Sequence, residues 1–158
     1  MQVGIGYDLH RLVPDRKLVL GGVPIEYELG LYGHSDADVV LNAVIDSLLG
    51  ACGLGDIGDL FPDTDPAYKD IDSTKLLAKV LAMLAEHGFS IRHVDVIIHA
   101  EKPKLKHHKP VIRRRLAELM GVSPEQVNVK AKTNETLDAV GRGEAIAAWS
   151  AATVEKRS

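Results

Sequence analysis

Apolar and polar positions alternate along QVGIGYDLH, residues 2–10, with two glycines inside the run. A period of two predicts a strand, and it turns Asp8 and His10 toward the same face. KLVLGGVPIEYE, residues 17–28, has short apolar stretches on either side of Gly21 and Gly22. It reads as a hairpin turned at those glycines, with Pro24 suited to an edge because proline cannot donate to a ladder. The period then changes. Val39, Val40, Ala43, Val44, Ser47 and Leu48 recur at helical intervals, which predicts a helix capped by Ser35 or Asp36, running to about Ala51 and ended by Gly53 and Gly55.

GDIGDLFPDTDP, residues 55–66, carries four aspartates, two prolines and two glycines and reads as a loop. Leu76, Leu77, Val80, Leu81 and Leu84 form the stripe of a second helix, capped by Asp72 or Ser73 and closed by Gly88. HVDVIIHAE, residues 93–101, has a nearly continuous apolar centre and predicts a strand covered on both faces or central in its sheet. Pro110 suits the first turn of a third helix through Met120, ended by Gly121, and SPEQ at 123–126 supplies a serine cap with a capping-box glutamine. Two strands follow, at about 127–133 and 144–155. Strands and helices mix without strict βαβ repetition, so the expected fold is a single-domain α+β sandwich over residues 1–158: one mixed β-sheet with helices packed on one side.

At 158 residues and 46% hydrophobic composition the chain suffices for one domain with a real core. A net charge of −3 gives no general attraction for nucleic acid, although residues 102–115 are locally basic. The lone Cys52 cannot close an internal disulfide and suits a buried, reduced thiol. Asp8 and His10 interrupt the start before a leader's apolar region could develop, and no run approaches membrane-spanning length. The expectation is a cytoplasmic protein without nucleic-acid or membrane partners.

Several groups carry candidate chemistry. Asp8 and His10 form a plausible pair of ligands for a divalent metal, or simply a solvated strand face. Asp38, Asn42 and Asp46 share one helical stripe, which could meet a metal or a polyol, or face solvent. His34 and Ser35 stand at the expected mouth of the first helix, where free N–H groups favour an anion such as phosphate, unless Ser35 only caps. Lys102, Lys104 and Lys106 follow one strand, and Lys130 and Lys132 alternate along the strand that ends in Thr133, Asn134 and Glu135. Lysines beside a carboxylate that could hold a metal suit a bound diphosphate. Arg142 and Glu144 in GRGEAI make either an ion pair or a second anion site.

Taken in order, GYDLH, GHSDADVVLNA, GDIGDLFPDTDP, AEKPKL, VNVKAKTNE and GRGEAIA resemble the 2-C-methyl-D-erythritol 2,4-cyclodiphosphate synthases from about residue 3 to 155. The resemblance implies a homotrimer with active sites between subunits. It also implies cyclisation of the CDP-linked substrate 4-diphosphocytidyl-2-C-methyl-D-erythritol 2-phosphate, with release of CMP, in non-mevalonate isoprenoid biosynthesis. It gives Asp8 and His10 a zinc ion and Glu135 a second ion, Mg²⁺ or Mn²⁺. His34 and Thr133 match positioning or transition-state-stabilising residues. Ser35, Asp56, Ile57, Gly58, Phe61, Pro62, Asp63, Thr64 and Asp65 match the part that holds the methylerythritol phosphate. Ala100, Glu101, Lys102, Pro103, Lys104, Leu105, Lys106, Ala131, Lys132 and Thr133 match the cytidine pocket. Asp8, Leu9, His10, His34, Asn134, Glu135 and Arg142 complete the implied substrate contacts.

Two positions depart from the family pattern. Asn42 stands where relatives carry a histidine as third zinc ligand. An amide offers only a neutral oxygen, so weakened zinc binding and slow catalysis are expected. Ala139 stands where relatives often carry phenylalanine near the trimer axis. Two other functions fit parts of the chain: a catalytically weak trimer that binds nucleotide or isoprenoid diphosphates, and a metal phosphohydrolase giving linear products.

Overall fold

The glycines of the first strand set how closely the first helix can lie on the sheet. In the computed structural model, which describes residues 1–62 and 64–157, β1 (Gln2–Val13) crosses beneath α1 (Val39–Cys52). A Cβ at Gly4 would stand 2.1 Å from the Ser47 carbonyl oxygen, and one at Gly6 would stand 2.1 Å from that of Ala43. Only hydrogen fits in either place, so helix and strand meet backbone to backbone. Eleven of the fourteen α1 residues are buried. The helix is covered by the sheet below and by α3 (Ser73–Glu86) and the β2 (Leu18–Leu20)–β3 (Val23–Ile25) hairpin on its other sides.

The main sheet runs β4 (Gly30–Leu31), β1, β7 (Ala145–Lys156), β5 (Phe89–His99), β6 (Val127–Lys132). The β5–β6 pair is parallel and the others are antiparallel. With α4 (Lys109–Met120) packed beside β6, this is the expected α+β sandwich of a mixed sheet with helices on one side. The hairpin at Gly21 and Gly22 is present, Pro24 lies in a separate two-stranded sheet, and Asp72 caps α3 by accepting from Thr74 N–H. The 93–101 strand begins earlier and ends at His99, so residues 100–106 are a connection rather than part of the strand. The polar 55–66 segment is not loop throughout, because Asp56 caps the short α2 (Ile57–Leu60).

The cap of α1 also differs from expectation. Asp38 takes that place, accepting from Val40 and Leu41 N–H, each at 3.1 Å. The same carboxylate accepts from Gly21 and Gly22 N–H at 2.8 and 2.7 Å, tying the hairpin to the helix. Ser35 and Asp36 are occupied elsewhere: Ser35 Oγ accepts from Ala37 N–H, and Asp36 binds the backbone and hydroxyl of Ser73. Asp38 is therefore fully buried and leaves the stripe it was expected to share with Asn42 and Asp46.

The face of the sheet opposite the helices is apolar and open. Val3, Ile5, Tyr7, Leu9 and Trp149 are 44–69% exposed there, with the rings of Tyr7 and Trp149 4.6 Å apart.

Candidate active site

The strand period puts Asp8 and His10 on the covered face of β1, where Asn42 of α1 meets them. His10 Nε2 lies 2.9 Å from Asp8 Oδ2. Asn42 Nδ2 donates to the same Asp8 oxygen at 2.9 Å and lies 3.4 Å from His10 Nε2. His10 Nδ1 faces the Tyr32 carbonyl at 2.9 Å, so it carries a proton there and leaves Nε2 turned toward Asp8 and Asn42. Burial pulls the His10 pKa down, but the hydrogen bond and charge of Asp8 outweigh it and leave the imidazole above its ordinary value.

The donor chemistry of this trio does not complete a zinc site. A carboxylate and an imidazole converge as a cation anchor should, but the third position presents an amide N–H, and Asn42 Oδ1 is buried without a hydrogen-bond partner. Among the described residues no three His, Cys, Asp or Glu side chains gather as a ligand set.

A cavity of about 910 Å³ opens above this floor. It is lined by the expected residues Asp8, His10, His34, Ser35, Asn42, Ile57, Gly58, Phe61 and Pro62. The stripe still helps to build it, because Asp46 Oδ1 accepts from Ile57 N–H at 2.8 Å and fixes the start of α2. Burial raises the Asp46 pKa, partly countered by that N–H and reinforced by the charges of Asp56 and Asp8. His34 and Ser35 reach the rim without a helix mouth behind them, since the Asp38 carboxylate already occupies the α1 N-terminus.

Arg16, Tyr32, Tyr68, Lys69 and Asp70 also line the cavity and were not anticipated. Arg16 donates to the Leu31 and Ser35 carbonyls at 3.2 and 2.8 Å, bracing the His34–Ser35 segment. In sequence it looks like any charged turn residue of PDRK. Its partners lie fifteen and nineteen positions away, and no spacing rule reaches them.

A second cavity of about 320 Å³ is lined by Ala100, Lys104, Leu105, Lys106, Lys109, Ala131, Lys132 and Thr133. These include seven of the residues expected around cytidine. Glu101, Lys102 and Pro103 do not line it, and Glu101 Oε2 is buried without a hydrogen-bond partner. Lys130 is not free for phosphate because it is salt-bridged to Asp95 across the sheet. Burial raises the Asp95 carboxyl, but Lys130 and Asn128 hold it below the usual carboxylate range.

The chain leaves this cavity through an unusual turn. Glu135, Thr136 and Asp138 have φ of 51°, 65° and 59°. Each such non-glycine residue costs about 1–3 kcal/mol and persists only where its surroundings hold it. Thr133 Oγ1 donates to Glu135 Oε1 at 2.7 Å, presenting hydroxyl and carboxylate together. Asn134 bonds to His99 and Asp138 instead of facing the cavity.

Some expected residues lie elsewhere. The Leu9 side chain lines a third cavity on the open face with Tyr7 and Trp149, as its odd position in β1 dictates. Asp56 borders a fourth with Asp46 and Gly55, and Asp65 caps the turn at Pro66–Tyr68. Thr64 is exposed and borders none of these four cavities. Asp63 falls outside the described residues. Arg142 pairs with Glu144 at 2.9 and 3.2 Å in an exposed fork. Within one chain, Asp8 and His10 line one cavity while Thr133 lines another.

Acidic and imidazole donors beside one cavity, and lysines around the next, are the equipment of an α+β enzyme that handles phosphate esters. Comparison with known proteins makes that class specific. The YgbB family matches residues 1–155. A 2-C-methyl-D-erythritol 2,4-cyclodiphosphate synthase from Dehalococcoides mccartyi is 55% identical over 157 residues, covering 99% of this chain and 100% of its own. The bifunctional IspDF of Campylobacter jejuni superposes with a TM-score of 0.95 at 38% identity, over 99% of this chain and 42% of that longer one. IspF of Plasmodium falciparum, solved as a CDP complex, gives 0.87 at 29% identity over 99% and 97% of the two chains. The chain belongs to the YgbB family, that of the 2-C-methyl-D-erythritol 2,4-cyclodiphosphate synthases, lyases that carry out a cyclisation in isoprenoid biosynthesis.

Proposed function

We propose that the chain converts 4-diphosphocytidyl-2-C-methyl-D-erythritol 2-phosphate to the 2,4-cyclodiphosphate and CMP. The observation that carries this reading is the large cavity with the Asp8–His10 pair on its floor and His34 and Ser35 on its rim. An oxygen of the 2-phosphate attacks the β-phosphorus and forms the new P–O bond. The bond from that phosphorus to the bridging oxygen breaks, and CMP leaves with the oxygen and the electron pair. The 2-phosphate has a second pKa of about 6 and is mostly ionised at neutral pH, so no strong general base is needed. The protein's task is to bring like charges together and hold them in line.

Lys69 and Arg16 bring cationic groups to the first cavity beside the carboxylates of Asp8 and Asp70, and His34 and Ser35 orient the phosphate that enters it. Ile57, Gly58, Phe61 and Pro62 hold the methylerythritol. Ala100, Lys104, Leu105, Lys106, Ala131, Lys132 and Thr133, which line the second cavity, receive the cytidine; a CDP-linked ligand is supported by the Plasmodium relative, solved as a CDP complex. Thr133 positions the diphosphate. Glu135 would hold Mg²⁺ or Mn²⁺ through its carboxylate, and that ion would neutralise phosphate charge. No step runs through zinc, because Asn42 leaves the donor set incomplete.

The working unit we infer is a cytoplasmic homotrimer. Its support is the open apolar sheet face, together with the separation of the two cavities within one chain, which a neighbouring subunit can bridge. Asn42 also favours a second reading, a trimer that binds nucleotide or isoprenoid diphosphates with little turnover. Incubation with substrate and Mg²⁺ distinguishes the two. Equimolar CMP and a cyclic diphosphate resolved by phosphorus NMR support the synthase, and tight CDP binding without product supports the binder. Linear phosphates indicate a hydrolase and refute both.

A further inference from the structure

The turn at 135–138 has three non-glycine residues at positive φ, one of them the β-branched Thr136. Its backbone is also crowded, since a Cβ at Gly141 would lie 2.3 Å from the Thr136 carbonyl carbon. What holds it is a directed chain of side chains. Asp138 Oδ1 accepts from Val140 and Gly141 N–H at 2.8 and 3.1 Å, serving α5 (Asp138–Gly141), whose preceding residue Leu137 offers no side-chain cap. Asp138 Oδ2 accepts from Asn134 Nδ2 at 2.9 Å. That bond fixes the amide so that Asn134 Oδ1 faces His99 Nδ1 at 2.7 Å. An oxygen there requires a donor, so His99 carries its proton on Nδ1. His99 is the last residue of β5 and pairs with both Lys132 of β6 and Ala147 of β7. The chain of bonds thus runs from the sheet into the turn that carries Thr133 and Glu135.

We propose that His99, Asn134 and Asp138 are positioning residues that lock the Thr133–Glu135 turn in its strained form and so aim the Thr133 hydroxyl and Glu135 carboxylate at the substrate. The aiming rests on the function proposed above, whereas the locking does not. Both the amide of Asn134 and the Nδ1 proton of His99 have one permitted orientation, which makes the device sensitive to the position of a single donor. Asparagine at position 99 keeps a donor close to Nδ1, glutamine places one nearer Nε2, and leucine supplies none.

The test compares the full-length native chain with His99→Asn, His99→Gln and His99→Leu. Backbone hydrogen exchange at Leu137, Val140 and Gly141 reports the lock without substrate. Turnover of the CDP-linked substrate with Mg²⁺ reports the aim. Exchange about tenfold faster in the Gln and Leu variants is expected, with kcat reduced about tenfold or more, KM within twofold, and the Asn variant close to native in both. Unchanged exchange in His99→Leu overturns the lock, as do equal effects of Asn and Gln. Faster exchange with native kcat overturns the aim. If the native chain does not cyclise the substrate, the functional reading fails and the aim falls with it, while exchange still decides the lock.

Discussion

Histidine in place of Asn42 perturbs the cavity floor at the position where donor chemistry matters most. In the native chain Asn42 Nδ2 donates to Asp8 Oδ2 at 2.9 Å, so a cation seeking an oxygen from this residue must first turn the amide over. That breaks a hydrogen bond to a charged group, worth about 1.5–3 kcal/mol. At about 1.4 kcal/mol per decade, the amide weakens ion binding by roughly 10- to 100-fold before the missing imidazole is counted. Asn42→His removes this obstacle and adds a nitrogen donor beside Asp8 and His10. We expect zinc affinity, measured by competition with a chromophoric chelator, to rise at least about tenfold, the lower end of that range. Turnover rises with it. Equal zinc affinity in the native and variant chains, with one ion held per subunit in each, would refute the reasoning.

Other predictions concern the frame around the cavities. Asp38→Ala leaves four backbone N–H groups without their acceptor; at about 1–3 kcal/mol for each group left unsatisfied in the interior, a loss of about 4 kcal/mol or more in urea unfolding is expected. Asp95 has a depressed folded pKa, so its contribution to stability is present above the ordinary carboxylate range and is lost as pH falls through the folded value. Asp95→Asn should therefore flatten the acid limb of the stability profile, and an unchanged limb contradicts the assignment. Ile5→Lys charges the open apolar face, where Ile5 is 69% exposed; sedimentation should show a native trimer and a dissociated variant.

The main elements were legible because their signals are local. Period two in β1, helical spacing in α1 and α3, Pro110 and Gly121 bounding α4, and paired glycines in the hairpin each follow from a few neighbouring residues. The Asp8–His10 face was readable for the same reason. What escaped depends on contacts between distant segments. Asp38 rather than Ser35 or Asp36 caps α1 because the hairpin delivers two further N–H groups to it, and no local rule separates three polar candidates in HSDAD. Lys130 looked free because its partner Asp95 lies thirty-five residues earlier, on the neighbouring strand. Arg16 and the His99–Asn134 bond stayed hidden because each joins residues fifteen or more positions apart that only the folded chain brings together. The family resemblance supplied site residues that periodicity could not, including Ile57 and Gly58. It did not reveal that the Asn42 amide would hydrogen-bond to Asp8.

The central claim is that the substrate's own phosphate, not water, attacks the β-phosphorus. Running the reaction to completion in ¹⁸O-labelled water and weighing the products by mass spectrometry tests this directly. Intramolecular attack leaves both the cyclic diphosphate and CMP unlabelled. One heavy oxygen in a linear phosphate product would show that water is the nucleophile, and the account would be wrong.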